Sequence, residues 1–320
     1  MSRNLAIIDL GTNTFQLIVA KETKPGFEIL LQKSTPSRLG KGGINQGIIT
    51  PEAMARALLV LEDFKKELDA FGLSRQQILA FGTSAIRNAA NKAEFLDAIR
   101  AGPGLPVRII DGETEAHLIY LGVREAVSLG TVPNLIMDIG GGSVEFVIAD
   151  GQSVYWKKSF ETGGQRLLDR FVKSDPLSSG SIRKINDFLE ERLIDLSNAV
   201  HQYAPKILVG SSGTFETLAE IDHWNRMNEW PPAGQNGFDI PLEEFYRSRN
   251  LILSATREER MKIPGMRELR VDMIPVAICL IDYIISRYHI STVKASRYSL
   301  KEGALVDLLQ TDNRSGFPSY

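Results

Sequence analysis

The amino-acid sequence predicts an α/β protein built from two similar lobes, each a mixed β-sheet flanked by helices. The length of 320 residues exceeds the size at which one hydrophobic core usually stops growing. Asp9–Ala20 aligns without a gap on Asp138–Ala149, so the same motif, an Asp followed by a turn of small residues and an apolar run, occurs twice. Strand-like apolar runs also alternate with stretches of helical periodicity. We therefore expect a first lobe over residues 1–128 and a second over residues 129–320, with the last helix, at about 302–310, packing back on the first lobe.

The first lobe opens with three predicted strands. In the first copy of the repeated motif, an apolar run precedes Asp9 and a second apolar run follows a turn of small residues. This pattern is typical of two strands joined by a tight turn. Thr50 suits the N-cap of a helix and Pro51 suits its first position. The predicted elements are strands Leu5–Ile8, Leu17–Ala20 and Phe27–Gln32, a turn at Lys24-Pro25-Gly26, a glycine-rich loop over Ser37–Ile49, a helix from Pro51 to Phe71, strand Ile78–Phe81, helix Lys92–Arg100, strand Val107–Ile110 and helix Asp111–Val127.

The second lobe begins near Gly130–Pro133 and repeats the opening pair of strands at Asp138. Asp175-Pro176 separates its first two helices, because the residue before a proline disfavours helical backbone. The later elements are strand Ser153–Phe160, helices Gly163–Phe171 and Ser178–Tyr203, strand Lys206–Val209, the segment Gly210–Thr214 followed by a helix to about Trp224, a loop over Asn228–Asp239, helices Pro241–Ser254, Arg257–Lys262 and Asp272–Tyr288, strand Thr292–Ala295 and helix Glu302–Leu309.

The composition indicates which partners and which cellular compartment to expect. A formal net charge of −2 argues against a broad nucleic-acid-binding face. No apolar run reaches the roughly 20 residues that span a bilayer, and the N-terminus shows no secretory signal pattern. The single cysteine, Cys279, lies in an apolar run and is expected to be a packed core thiol. We expect a cytoplasmic protein without membrane or nucleic-acid partners.

The two turns predict a phosphate site. Their backbone N–H groups can form a concave anion cradle, and hydroxyl groups add donors. Asp9 and Asp138 end the preceding strands, where carboxylates can hold a divalent cation or its waters. If the two cradles face each other, the active site lies in a cleft between the lobes. The candidate phosphate contacts are Gly11, Thr12, Asn13 and Thr14 in the first cradle and Gly140, Gly141, Gly142 and Ser143 in the second.

The duplicated strand–turn–strand with Asp at its head resembles the actin/hexokinase-like superfamily of two ribonuclease H-like lobes. Within it, the chain resembles the short form of the Ppx/GppA phosphatases, which are exopolyphosphatases and guanosine pentaphosphate phosphohydrolases. Six segments carry this resemblance in family order: Asp9–Leu17, Gly82–Asn91, Asp111–Val123, Asp138–Glu145, Gly210–Thr214 and Ser296–Gly303.

The resemblance implies roles for particular residues. Glu115, which precedes Ala116 as the family's catalytic glutamate does, is the expected general base. Asp9, Asp138 and Glu145 are expected to hold Mg²⁺ (or Mn²⁺), the last two as members of the catalytic set. Arg87 is expected to bind phosphate, and Gly213 either contacts a nucleoside or only lines the substrate channel.

Some positions are open or depart from the family pattern. Arg38 and Lys41 either guide a polyanion or are ordinary solvated loop residues. Gln16 stands where the family often has Arg or His, and Ser299 and Lys301 stand where Gly and Arg are usual. These departures bear on substrate affinity more than on the fold.

The sequence favours metal-dependent exopolyphosphatase activity, in which water attacks the terminal phosphate of inorganic polyphosphate directly. Hydrolysis of guanosine pentaphosphate would use the same catalytic set and is the main alternative. An ATP-using kinase would need an acceptor site and an adenine pocket, which the sequence does not reveal. A non-catalytic polyphosphate or nucleotide sensor is a weaker alternative, since Glu115 and Glu145 are both present. Whether the chain forms a homodimer is left open.

Overall fold

The computed structural model describes residues 3–24 and 26–311. The middle of the predicted turn at Lys24-Pro25-Gly26 and the end of the predicted second lobe, residues 312–320, therefore lie outside the described residues. Contacts divide the chain into two compact units. The first comprises Met1–Gly122 and Leu300–Tyr320, and the second comprises Val123–Ser299. The domain boundary thus falls six residues before the predicted end of the first lobe, and the C-terminal helix belongs to the first unit.

The first unit contains a five-stranded mixed sheet of order β3-β2-β1-β4-β5. The first three strands are antiparallel neighbours, and β4 and β5 continue the sheet in parallel to β1. The strands are β1 (Asn4–Leu10), β2 (Thr14–Glu22), β3 (Phe27–Pro36), β4 (Ile78–Gly82) and β5 (Val107–Ile109).

Helices cover this sheet through an apolar core. The α1 helix begins as predicted: the Thr50 side chain accepts a hydrogen bond from the N–H of Ala53, and Pro51 occupies its first position. Phe15, Phe64 and Phe95 are fully buried in the core beneath it. The helices are α1 (Pro51–Ala70), α2 (Ser84–Arg87), α3 (Lys92–Ala101), α4 (Gly112–Ala126, whose last four residues belong to the second unit) and α13 (Leu300–Thr311), with a 3₁₀ turn at Arg75–Gln77.

The second unit contains a six-stranded mixed sheet of order β10-β11-β9-β6-β7-β8. Its core includes the fully buried rings of Phe146, Phe215 and Phe245. The strands are β6 (Asn134–Ile139), β7 (Val144–Ala149), β8 (Val154–Phe160), β9 (Ile207–Ser211), β10 (Gly237–Ile240) and β11 (Thr292–Ser296). The helices are α5 (Gly164–Phe171), α6 (Ser179–Arg192), α7 (Ile194–Tyr203), α8 (Ser212–Met227), α9 (Leu242–Ser254), α10 (Arg257–Arg260), α11 (Glu268–Val271) and α12 (Ile274–Tyr288).

The duplication seen in the sequence is present in the backbone of both units. Asp9 pairs with Gln16 across β1 and β2, and Asp138 pairs with Glu145 across β6 and β7. In each hairpin the strand with the Asp also pairs in parallel with a later strand, β4 or β9. The predicted fold class, two mixed sheets flanked by helices, is confirmed.

Three predicted elements were wrong in detail. The segment Ser178–Tyr203 is two helices, because the backbone of Leu193 leaves the helical conformation (φ −99°, ψ 24°) while its side chain stays fully buried. The apolar positions keep helical spacing through the break, so periodicity did not reveal it. The predicted helix over Asp272–Tyr288 begins two residues later, as α12, and the short α11 before it was not predicted.

The predicted loop Asn228–Asp239 ends in a strand. Within β10 the side chains of Phe238 and Ile240 are buried and Asp239 is exposed, which is the alternation of a half-buried strand. The strand has four residues and follows a segment rich in proline and glycine. Four residues are too few for a strand-like alternation to be recognised next to such a segment.

The described helices include none that is both long and apolar enough to cross a membrane.

Candidate active site

The turn of the first unit is fixed from one side by the chain that follows β3. The carbonyl of Asn13 accepts hydrogen bonds from the N–H groups of Ser37 and Arg38, each at 2.9 Å, and the carbonyl of Thr12 accepts one from Gly40 at 2.8 Å. The C=O and N–H of a trans peptide point in opposite directions. The N–H groups of the same peptides, on Asn13 and Thr14, therefore point away from this loop. That is the orientation an anion cradle needs.

The turn of the second unit is fixed in a related way by the start of α5. The carbonyls of Gly140 and Gly141 accept from the N–H groups of Gly164 (2.9 Å) and Gln165 (2.8 Å). Gly142 accepts from the N–H of Gly163 at 3.2 Å. The N–H groups of the same three peptides therefore point away from α5. Backbone carbonyls thus hold both turns, and N–H groups of each turn point away from the holding segment.

In both turns a glycine lies close to the carbonyl oxygen of a residue three positions later. A Cβ atom on Gly11 would lie 2.8 Å from the carbonyl oxygen of Thr14, and one on Gly140 would lie 2.9 Å from that of Ser143. Real Cβ atoms essentially never come so close, so both positions need glycine. The buried Thr14 hydroxyl has no hydrogen-bond partner among the described residues. A buried polar atom of this kind is a plausible ligand contact, since most such groups in proteins are satisfied.

Glu115 lies in the first turn of α4. The Asp111 carboxylate caps this helix by accepting from the N–H of Thr114 at 2.7 Å. The Glu115 residue is 7% exposed, and its Oε2 atom accepts a hydrogen bond from Nη1 of Arg87 at 2.7 Å. The same Nη1 donates to the carbonyl of Ile110 at 3.1 Å. Arg87, predicted as a phosphate ligand, is therefore also the partner of the predicted general base.

Two carboxylates stand opposite each other in the second unit. Asp138 and Glu145 are cross-strand neighbours, 7% and 1% exposed. Like charges directly opposite in a sheet destabilise it, and burial increases the cost. At the matching position of the first unit, Gln16 and not an acid faces Asp9. The local chemistry therefore favours a cation at Asp138 and Glu145 more than at Asp9.

Serine hydroxyls donate to both acids of this pair. The Ser211 hydroxyl donates to Oδ2 of Asp138 at 2.5 Å, and the Ser299 hydroxyl donates to the same oxygen. The Ser159 hydroxyl donates to Oε1 of Glu145 at 2.7 Å. The sequence analysis predicted none of these contacts: Ser211 was only part of the segment Gly210–Thr214, Ser299 was only a departure from the family pattern, and Ser159 was not singled out. Ser211 ends β9 in register with Asp138, a signal that strand pairing could have supplied.

The donor set suits a small, hard cation. Among the described residues, no group of three or more His, Cys, Asp or Glu side chains is arranged to hold a metal ion. Mg²⁺ does not need such a cage, since it keeps several waters and binds through one or two carboxylates and substrate oxygens. Asp138 and Glu145 together meet that requirement.

Arg270 is a further candidate that the sequence did not indicate. Its guanidinium group lies directly over Gly213, where any Cβ atom would collide with it. Burial lowers the pKa of this arginine, and the nearby carboxylates of Glu216 and Asp138 act in the opposite direction. Within the described part of the chain, the side chain of Arg270 forms no hydrogen bond or ion pair. Arginine stays protonated in proteins, so this is a partly buried cation suited to an anionic ligand.

Other charged side chains near Arg270 form ion pairs with one another. Arg267 contacts the Oε1 atoms of Glu220 at 2.6 Å and Glu216 at 3.5 Å. Arg297 lies 3.8 Å from the carboxylate of Glu216 and 3.9 Å from that of Glu220. These acids already have arginine partners, so among the described residues they do not form an ion pair with Arg270, and its charge is available to an anionic ligand.

Comparison with known proteins decides the family. A model of the Ppx/GppA phosphatase family matches residues 18–312 of this chain. The chain belongs to the Ppx/GppA phosphatase family. The predicted resemblance and the enzyme class, a hydrolase of phosphoric anhydride bonds, are therefore confirmed.

Relatives of the family match the chain along most of its length. The crystal structure of an exopolyphosphatase from Cytophaga hutchinsonii is 40% identical, with a TM-score of 0.92 over 96% of this chain and 98% of that one. The Ppx/GppA family member of Aquifex aeolicus is 26% identical, with a TM-score of 0.78 over 98% and 100%. A Haemophilus influenzae protein, provisionally named an exopolyphosphatase, is 28% identical over 311 residues, which cover 96% of this chain and 91% of the relative.

Proposed function

We propose that this Ppx/GppA phosphatase is a Mg²⁺-dependent exopolyphosphatase that releases terminal orthophosphate from inorganic polyphosphate. The observation that carries the proposal is the combination, within one unit, of a buried acidic pair and an arginine that forms no ion pair with any described residue. Arg270 offers positive charge to an anion, and Asp138 and Glu145 offer carboxylates to a cation. A metal-bound phosphate chain supplies both charges at once.

The turns and the cation have separate tasks in this proposal. In the second unit, the N–H groups of Gly141, Gly142 and Ser143 are the proposed donors to phosphoryl oxygens. In the first unit, the N–H groups of Asn13 and Thr14 are the corresponding candidates. Asp138 and Glu145 hold Mg²⁺ or Mn²⁺, which when bound neutralises charge on phosphate oxygens. In the first unit, Asp9 is the candidate carboxylate for a cation or its waters.

Glu115 is the proposed general base. It accepts a proton from a water molecule whose oxygen forms a new bond to the terminal phosphorus. The bridging P–O bond breaks on the opposite side, and the shortened chain leaves with its electron pair. Arg87 holds the Glu115 carboxylate in place, and its positive charge favours phosphate nearby.

The position of Arg270 favours polyphosphate over guanosine pentaphosphate. Its guanidinium group covers Gly213, the loop residue that was the candidate nucleoside contact. A base or ribose approaching that backbone would have to displace a charged group. A phosphate chain would instead be attracted to it.

Orthophosphate release from polyphosphate, guanosine pentaphosphate and ATP, measured side by side with Mg²⁺ and after chelation, tests the proposal. We expect the highest kcat/KM with polyphosphate and loss of activity without the metal. Faster hydrolysis of guanosine pentaphosphate would reverse the substrate assignment. Full activity after thorough chelation would refute the role of the metal. The lobe cleft, the homodimer and the cytoplasmic location stay predictions.

A further inference from the structure

The two hydroxyl groups on Asp138 have a consequence for the cation. Ser211 and Ser299 both donate to Oδ2 of Asp138. A carboxylate oxygen has two lone-pair sites, so these two bonds use the acceptor capacity of Oδ2. A cation that keeps this arrangement intact must take Oδ1 alone.

The position of Ser299 is set independently of Asp138. The hydroxyl of Ser296 accepts from the N–H of Tyr298 at 3.1 Å and donates to its carbonyl at 2.7 Å. The N–H of Arg297 donates to the carbonyl of Asn236 at 2.9 Å, and its Nη1 donates to that of Gln235 at 2.8 Å. The turn before α13 is thus fixed by its own hydrogen bonds. It brings the Ser299 hydroxyl to Asp138, and the hydrogen bonds of Ser296 and Arg297 that hold the turn do not involve that carboxylate.

The number of carboxylate oxygens available to a cation affects which cation binds. Ca²⁺ takes six to eight oxygen ligands and readily binds carboxylates in bidentate fashion, whereas Mg²⁺ demands six in octahedral geometry and binds a carboxylate through one oxygen. An Asp138 restricted to Oδ1 suits Mg²⁺ and lowers the number of ligands that Ca²⁺ can collect.

We propose that Ser299, together with Ser211, is a positioning residue that keeps Asp138 a monodentate ligand and so favours Mg²⁺ over Ca²⁺. The inference rests on the proposed metal site at Asp138 and Glu145. It adds a determinant of metal selectivity that lies outside the ligands themselves, at a position far along the chain from Asp138.

Calorimetric titration of the full-length protein with Mg²⁺ and with Ca²⁺, in the absence of substrate, tests this inference without using activity. Groups that orient a metal ligand typically change metal affinity by about 10–100-fold when they are removed. We expect Ser299→Ala to lower the ratio of Mg²⁺ affinity to Ca²⁺ affinity by about tenfold, because Oδ2 becomes available to Ca²⁺. Ser299→Thr retains a hydroxyl and should keep the wild-type ratio.

Ser212→Ala is the matched control, because the Ser212 hydroxyl donates at 3.1 Å to the carbonyl of Ile139 and not to a carboxylate. An unchanged ratio in Ser299→Ala, or an equal fall in Ser299→Thr or Ser212→Ala, would overturn the inference while leaving the metal site in place. A wild-type protein that binds neither cation would instead remove the metal from the proposed function, and the inference with it.

Discussion

The guanidinium group of Arg87 donates to the carboxylate of Glu115 at 2.7 Å, with both side chains largely buried. The two residues lie on different helices, α2 and α4, and the same Arg87 atom also holds the carbonyl of Ile110. This pairing determines which way Glu115 faces. Arg87 therefore has a second role besides the phosphate binding expected from the sequence. The two roles predict different effects of substitution on kcat and KM.

Glu115→Gln should abolish most turnover and leave substrate binding nearly intact. The amide has almost the shape of the carboxylate but cannot accept a proton from water, and loss of a positioned base typically costs ~10²–10⁴ in rate. Steady-state phosphate release measures kcat and KM. Glu113→Gln is the matched control, since Glu113 is an exposed acid in the same helical turn. A near-normal kcat in Glu115→Gln would remove this residue from the mechanism.

Arg87→Lys should lower kcat at least about tenfold, the scale of a disturbed catalytic base. Lysine keeps the charge, but its ammonium group ends a shorter side chain and lacks the rigid guanidinium plane that places Nη1 between the Glu115 carboxylate and the Ile110 carbonyl. Arg100→Ala, which breaks an exposed pair with Asp97 in the same unit, serves as the control. A rise in KM with an unchanged kcat would instead show that Arg87 acts only on phosphate.

Arg270→Ala should raise KM for polyphosphate by about 10–100-fold, the equivalent of the roughly 1.5–3 kcal/mol typical of a hydrogen bond to a charged group. Gly213→Ala should act in the same direction, because the added methyl group displaces the guanidinium. Arg257→Ala removes a charge from the same segment, where Arg257 pairs with Asp272, and should leave KM unchanged. Equal KM values in Arg270→Ala and Arg257→Ala would refute the assignment.

Arg38→Gly should raise KM for polyphosphate several-fold without lowering stability. Arg38 has a φ of 47° in a loop that uses glycine at its other left-handed positions, Gly42 and Gly47. The left-handed conformation costs roughly 1–2 kcal/mol for a residue with a side chain. Retaining arginine there suggests a use for its charge. Thermal unfolding and KM are measured together, with Arg38→Lys expected to keep the wild-type KM. A lower melting temperature with an unchanged KM would show a purely structural role.

Cys279 should resist thiol reagents in the native protein. Burial raises the pKa of this thiol to about 12, and the thiolate is the reactive form. Almost none is present at pH 8, and reactivity should increase only as the pH approaches the raised pKa. A chromogenic disulfide reagent should therefore label no cysteine in the folded chain and one per chain in guanidinium chloride. Rapid labelling of the native protein at pH 8 would contradict the burial of this side chain.

The sequence by itself determined the repeated hairpin, the α/β class and the positions of the acids Asp9, Glu115, Asp138 and Glu145. These are local properties: strand alternation, turn residues and helix caps depend on neighbours a few positions away. Their ordered combination was enough to indicate the family. The break at Leu193 was missed because packing in the core outweighs a weak local signal there. The strand β10 was missed because its pairing with β11 outweighs the weak pattern of its own sequence.

The tertiary structure alone decided which partners those acids have. Ser299 and Asp138 are 161 positions apart, Ser211 and Asp138 are 73 apart, and Arg87 and Glu115 are 28 apart. Arg270 reaches Gly213 from a separate segment between α10 and α12. A hydrogen bond or ion pair depends on distances of a few ångströms, and those distances arise only when the strands and helices have packed. Local sequence patterns show which residues can do the chemistry, whereas side-chain packing sets which hydroxyl, guanidinium and carboxylate groups meet.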